Sequence, residues 1–129
     1  MYTLDDLGKE CYKIANEILP YHVNCKITSK EILINNNVAK YSDSEGFRLR
    51  IVVQDESTIR ITHFYMYQER KGYGSAIMEK ILKYCKNNNI SKIYVMGANY
   101  KSQNFFINKY NFQIEEQKDE LANLYLSIF

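Results

Sequence analysis

Apolar and polar positions along this chain switch between two periods, and the switches mark the elements. Leu4, Leu7, Cys11, Ile14, Ala15, Ile18 and Leu19 recur at three- and four-residue steps, one face of a helix from about Leu4 to Leu19. Thr3 is a suitable N-cap, and Pro20 stops the helix because it has no N–H to give. Lys26-Ile27-Thr28 and Glu31-Ile32-Leu33-Ile34 read as short strands, with turns at Asn35-Asn36-Asn37 and Ser42-Asp43-Ser44-Glu45-Gly46. From Phe47 the period is two: Phe47, Leu49, Ile51 and Val53 alternate with Arg48, Arg50 and Gln54. Asp55-Glu56-Ser57 turns the chain, and Thr58 to Tyr67 alternates again as an antiparallel partner. Strict alternation places Ile59, Ile61, His63, Tyr65 and Tyr67 on one face of that strand and Arg60, Thr62, Phe64 and Met66 on the other.

Helical spacing returns after a glycine-containing turn. Tyr73, Ala76, Ile77, Ile81, Leu82, Tyr84 and Cys85 define an amphipathic helix that ends in Asn87-Asn88-Asn89. Lys92 to Met96 is a short strand, Gly97-Ala98-Asn99 a connection, and a second helix runs from about Lys101 to Tyr110. Asn111 stands where a left-handed residue closes a helix. Phe112–Glu115 and Leu121–Ile128 are strands around the turn Glu116-Gln117-Lys118-Asp119. Strand, helix, strand around the glycine turn implies a right-handed crossover between parallel neighbours, among otherwise antiparallel strands. The fold class is α/β, a mixed sheet flanked by helices in one domain over residues 1–129.

Composition narrows the partners. A net charge of +2, without any block of Lys or Arg, argues against nucleic acid. No apolar run approaches the roughly 20 residues of a membrane span, and the N-terminus does not resemble a signal peptide, so a cytoplasmic protein is expected. Cys11, Cys25 and Cys85 fit no metal-ligand spacing and read as buried thiols; no metal is expected.

The chemistry concentrates at Arg70-Lys71-Gly72-Tyr73-Gly74-Ser75, between a strand and a helix. Two glycines let consecutive backbone N–H groups approach an anion. The helix start adds unpaired N–H groups and the positive end of its dipole, and Arg70 and Lys71 add formal charge. A dinucleotide fingerprint fails because Ile77 stands where its third glycine belongs; a P-loop and a kinase glycine loop fail on spacing and context. Glu69-Arg70-Lys71-Gly72-Tyr73-Gly74 before an amphipathic helix resembles the acetyl-CoA-binding motif Gln/Arg-x-x-Gly-x-Gly/Ala of the GCN5-related N-acetyltransferase (GNAT) family. Asn99, Ser102 and Phe105-Phe106-Ile107-Asn108-Lys109-Tyr110-Asn111-Phe112 resemble that family's Asn-rich helix start and its Phe-Tyr-x-Lys-x-Gly-Phe segment. The likeness covers about residues 47 to 129.

The resemblance implies a splayed central sheet that binds acetyl-CoA as cosubstrate. Backbone N–H groups from Arg70 to Ser75 would face the diphosphate. Phe64, Tyr65 and Met66 would pair with the pantetheine arm and stabilise the oxyanion, while Asn99, Ser102 and Phe105 would line its other side. The reaction would be acetyl transfer to a primary amine, on a small molecule or a protein. Tyr110 and His63 are the candidate catalytic groups: Tyr110 in place of the family's acid, whose position falls on Phe106 or Ile107, and His63 as base. Where other members carry a base earlier on this strand, the chain has Thr58 and Arg60, with Glu56 at the strand start. Glu69 departs from the motif's Gln or Arg, and no first strand precedes the opening helix. The rival is a non-catalytic acyl-CoA-binding or regulatory module on the same fold. Twelve tyrosines suggest a partly apolar or cationic acceptor, and the terminal strand offers an edge for a homodimer.

Overall fold

Among the described residues, seven strands form one mixed sheet in the order β1-β2-β3-β4-β5-β7-β6. They are β1 (Asn24–Ile27), β2 (Glu31–Asn35), β3 (Arg48–Asp55), β4 (Thr58–Tyr65), β5 (Lys92–Ala98), β6 (Gln113–Lys118) and β7 (Leu121–Ser127). The structure is a computed structural model that describes residues 2–18, 23–36, 47–65 and 72–129. Only β4 and β5 pair in parallel, and the other neighbours are antiparallel. The helices are α1 (Asp5–Ile18), α2 (Tyr73–Asn87) and α3 (Tyr100–Asn104), the last running on into a π-helical turn at Phe105–Lys109. Among the described residues no helix is long and apolar enough to cross a membrane.

One face of the sheet carries the core. Register aligns Ile34 with Leu49 and Phe64, Ile32 with Ile51 and Ile61, Ile59 with Ile93, and Val95 with Leu124. These side chains, nearly all fully buried, form one cluster with Leu4, Leu7 and Cys11 of α1, Ile77, Met78 and Ile81 of α2, and Phe106 of the π-helical turn. The crossovers β4-α2-β5 and β5-α3-β6 both step toward the β6 edge, so right-handedness puts both helices on this face. The opposite face carries Lys26, Glu31, Arg48, Arg50, Arg60, Lys92, Tyr94 and Tyr125, each at least partly exposed. β6 is exposed at every position, and its Glu115, Glu116 and Lys118 discourage another strand from pairing with that edge.

Three local expectations change. His63 and Tyr65 do not share a face with Ile59 and Ile61. The β3–β4 register slips between Arg50–His63 and Ile51–Ile61, so Thr62 is an extra residue and the faces exchange beyond it. Phe64 therefore turns to the core, while His63 and Tyr65 stand on the open face beside Arg50 and Arg48. The β6–β7 turn falls at Asp119–Glu120, later than the polar run suggested, because a bulge after Ile114 lengthens β6. Cys25 is exposed on β1, whereas Cys11 and Cys85 are buried and burial pushes both thiols up to about 12. Asn111 has the left-handed φ of 62° that its position required. The proposed turn at residues 42–46 and the stop at Pro20 lie outside the described residues.

α1 seats against β1 at Gly8, where a Cβ would lie 2.8–2.9 Å from three side-chain carbons of Ile27. Relief of backbone entropy favours Gly8→Ala by about 1 kcal/mol, but crowding a β-branched neighbour costs roughly 1–3 kcal/mol. Gly8→Ala is thus expected to lower stability in urea unfolding. Adding Ile27→Ala should make the alanine at position 8 favourable; an additive double-mutant cycle would refute the contact.

Candidate active site

β4 and β5 are hydrogen-bonded neighbours for only part of their length. Their register runs from Thr58–Lys92 to Ile61–Val95 and stops there, although β4 continues to Tyr65 and β5 to Ala98. Each strand is bent away by an irregularity at that level. On β4 it is the Thr62 bulge against β3. On β5 the register with β7 slips between Val95 and Ala98, and Gly97 adopts φ 62°, a left-handed value suited to glycine. The Gly97 N–H turns to the side chain of Asn123, whose Oδ1 accepts it at 2.9 Å.

The parting leaves a cleft of about 240 Å³ lined by Ile61–Tyr65 on one side and Val95–Asn99 on the other, with Ser102 and Phe106 closing it. Below Ile61 each strand is paired on both edges; above it the edges that face the cleft have no strand to bond. Phe64 closes the core side by packing on Phe106 and Phe105, with ring centroids 5.1 and 5.7 Å away.

The far wall is set by a helix cap and a buried amide. Asn99 caps α3 by accepting the Ser102 N–H at 2.9 Å, which fixes both residues at the cleft. Gln103, 7% exposed, donates through Nε2 to the carbonyls of Ala98 and Glu120, each at 2.9 Å. It ties the end of β5 to the β6–β7 turn. Among the sequence-predicted residues, His63, Phe64, Tyr65, Asn99 and Ser102 come together at the cleft. Phe105 stacks behind Phe64. Tyr110 packs edge-on against Phe105 at 5.4 Å and is not among the residues lining the cleft. Met66, Arg70 and Lys71 lie outside the described residues.

The turn into α2 has Gly72 as N-cap at φ 82°, with no side-chain hydrogen bond to the first turn. The first intrahelical bond is Ala76 N–H to the Gly72 carbonyl at 3.0 Å, so the N–H groups of Tyr73, Gly74 and Ser75 have no partner within the helix. Lys109 brings a cation to this place, its Nζ donating to Ser75 Oγ across 34 residues of sequence. Only the tertiary path of the aromatic helix reveals that contact. Gln103 and the bulges were likewise invisible as site components, since each draws its meaning from a neighbour distant in sequence.

His63 is the one histidine among the described residues. Burial holds its pKa below the usual 6.5, and the nearby charges of Arg48 and Arg50 push it further down. It is therefore neutral at pH 7. Its Nδ1 is buried without a hydrogen-bond partner among the described residues. Among the described residues no group of three His, Cys, Asp or Glu side chains is placed to hold a metal.

A family model described as acetyltransferase (GNAT) family matches residues 40–112. No curated protein matches the chain. Solved structures give fold-level likeness. PaiA N-acetyltransferase from Thermoplasma acidophilum, in complex with coenzyme A, is 12% identical at a TM-score of 0.53, over 76% of this chain and 61% of that one. This chain thus spans less than two thirds of that protein. A GNAT family acetyltransferase from Elizabethkingia anophelis with acetyl-CoA bound is 15% identical at 0.53, over 76% of each chain. Tetrahymena GCN5 is 10% identical at 0.53, over 98% of this chain and 86% of its own.

The two hydrogen bonds of Gln103 hold the cleft's far wall, so Gln103→Leu should destabilise the protein by roughly 1–3 kcal/mol, since it leaves the buried Ala98 carbonyl and the part-buried Glu120 carbonyl without their donor. Urea unfolding measures this, and a change below about 0.5 kcal/mol would mean that water replaces the amide.

Proposed function

Because the chain belongs to the acetyltransferase (GNAT) family, we propose that it transfers an acetyl group from acetyl-CoA to a primary amine. The observation that carries the reading is the gap between β4 and β5, which opens toward the end of β4 from which the chain runs on to α2, whose first N–H groups have no partner within the helix. A diphosphate suits the turn at Gly72–Ser75, where backbone donors, a helix N-terminus and the Lys109 ammonium converge. An amide-bearing arm suits the cleft, where strand edges at Thr62–Tyr65 and Met96–Ala98 face each other unbonded. The fit thus rests on backbone donors and acceptors that the fold leaves without strand partners.

Acetyl-CoA supplies an activated thioester; the chain's residues supply position and proton transfer. α2 lies on the core face, so the cosubstrate's diphosphate end occupies that side and the amine enters from the open face, where His63 and Tyr65 stand. His63, neutral at pH 7, takes the amine's proton as the nitrogen–carbon bond forms and the carbon–sulfur bond breaks with its electrons going to sulfur. The departing thiolate takes up one proton, either from the imidazolium or from Tyr110. For Tyr110 to be that donor it must leave its packing on Phe105, so this assignment requires that Tyr110→Phe lower kcat at least about tenfold.

One observation favours the non-catalytic reading: the cleft wall contributed by the aromatic helix is Phe106, which has no hydroxyl. Calorimetry with acetyl-CoA and thiol release across an amine panel separate the two, since a regulatory module binds and releases nothing. Turnover is expected, with kcat/KM falling on the acid side as His63 protonates. Because the folded pKa is lowered, that inflection lies below 6.5. His63→Gln should remove this limb and lower kcat by roughly 10²–10⁴. Gly74→Trp should abolish acetyl-CoA binding with the circular dichroism spectrum retained; retained affinity would contradict the cradle.

A further inference from the structure

Resting on the acetyl-transfer reading, we propose that the acceptor is an amine that also carries an anionic group, a carboxylate or a phosphate, and that Arg48 holds this group at the open-face mouth of the cleft. The geometry follows from register. Arg50 lies opposite His63 and Arg48 opposite Tyr65, so two guanidinium groups stand on the same face as the two cleft residues that border the amine's route. The two arginines differ in what they already hold. Arg50 donates to Glu31 Oε2 at 2.7 Å and to Thr62 Oγ1 at 3.2 Å, a pairing that spends its charge and fixes the Thr62 bulge. Arg48 is exposed and makes no ion pair among the described residues.

The charges that face this mouth are largely of one sign. Arg60 and Lys92 stand further along the same face, and Lys26 lies near Glu31 at 3.6 Å. Among the described residues the carboxylates on this face are Glu31, already shared between Lys26 and Arg50, Asp55 at the far end of β3, and Glu116 at the distant β6 edge. The same positive field that disfavours a charged imidazole at His63 disfavours an ammonium beside it. A polyamine or a lysine-rich segment therefore meets repulsion at the reacting centre. An amine with its own anion gains a charged hydrogen bond at Arg48, which offsets that repulsion. This reverses the cationic preference that the tyrosine content suggested.

The test uses the full chain with acetyl-CoA and matched acceptors, followed by thiol release. β-Alanine is compared with its methyl ester, O-phosphoethanolamine with ethanolamine, and spermidine serves as the cation. The anionic member of at least one pair should have a kcat/KM about tenfold or more above its uncharged match, the factor one charged hydrogen bond supplies. Which pair shows it distinguishes carboxylate from phosphate. Arg48→Glu should collapse or invert that ratio, with the urea midpoint reporting that the exposed substitution leaves the fold intact. Equal or faster turnover of spermidine or of the uncharged matches overturns the proposal, as does a ratio that survives Arg48→Glu. Acetyl-CoA binding by calorimetry without turnover of any acceptor overturns the acceptor class and leaves the cosubstrate site standing. Absence of acetyl-CoA binding removes the underlying reading, and the acceptor proposal with it.

Discussion

The structure depends on the separation of two parallel strands that ought to stay paired. β4 and β5 are central, and hydrophobic alignment of Ile59 with Ile93 and Ile61 with Val95 zips them firmly at one end. Beyond that point each is pulled toward its other neighbour: β4 by the extra residue at Thr62, β5 by the left-handed Gly97 and its bond to Asn123. An interior backbone group without a partner costs about 1–3 kcal/mol, so a gap in mid-sheet is stable only when the flanking structure enforces it or a ligand completes it. Here Arg50 braces one bulge through Thr62, and Gln103 and Asn123 brace the other.

The same bulge divides the site into two sides. Had β4 kept strict alternation, Phe64 would face solvent and His63 would be sealed under the helices. One inserted residue exchanges them, so an aromatic plug closes the core side and an imidazole reaches the open one. With α2 and Lys109 on the helix side and the arginines on the other, the proposed cosubstrate and acceptor would meet from opposite directions without competing for the same charges.

Most of the architecture was legible because it rests on local rules. The two periods placed both long helices and the central strands, Asn111 announced a left-handed stop, and the glycine turn identified where α2 would begin. What escaped were features that arise from pairing. A bulge leaves no mark in a sequence read at period two, so the faces of His63 and Phe64 came out exchanged. The exposure of Cys25 follows from β1 being an edge, which no property of its neighbours in sequence reveals. Lys109 at Ser75 requires knowing that the aromatic helix ends beside the start of α2.

The aromatic helix shows how one residue too many is absorbed. Phe105 to Phe112 has eight residues where the pattern it resembles has seven. A regular helix would rotate everything past the insertion by about 100° and carry either Phe106 or Phe112 out of the core. The chain instead widens one turn into π geometry at Phe105–Lys109, which takes up a single extra residue. Phe106 stays fully buried against Phe64, and Phe112 remains packed on Phe106 at 5.1 Å. Core packing therefore fixed both ends, and the middle yielded. The position reaching the cleft is consequently held by a phenylalanine, whose ring has no proton to give.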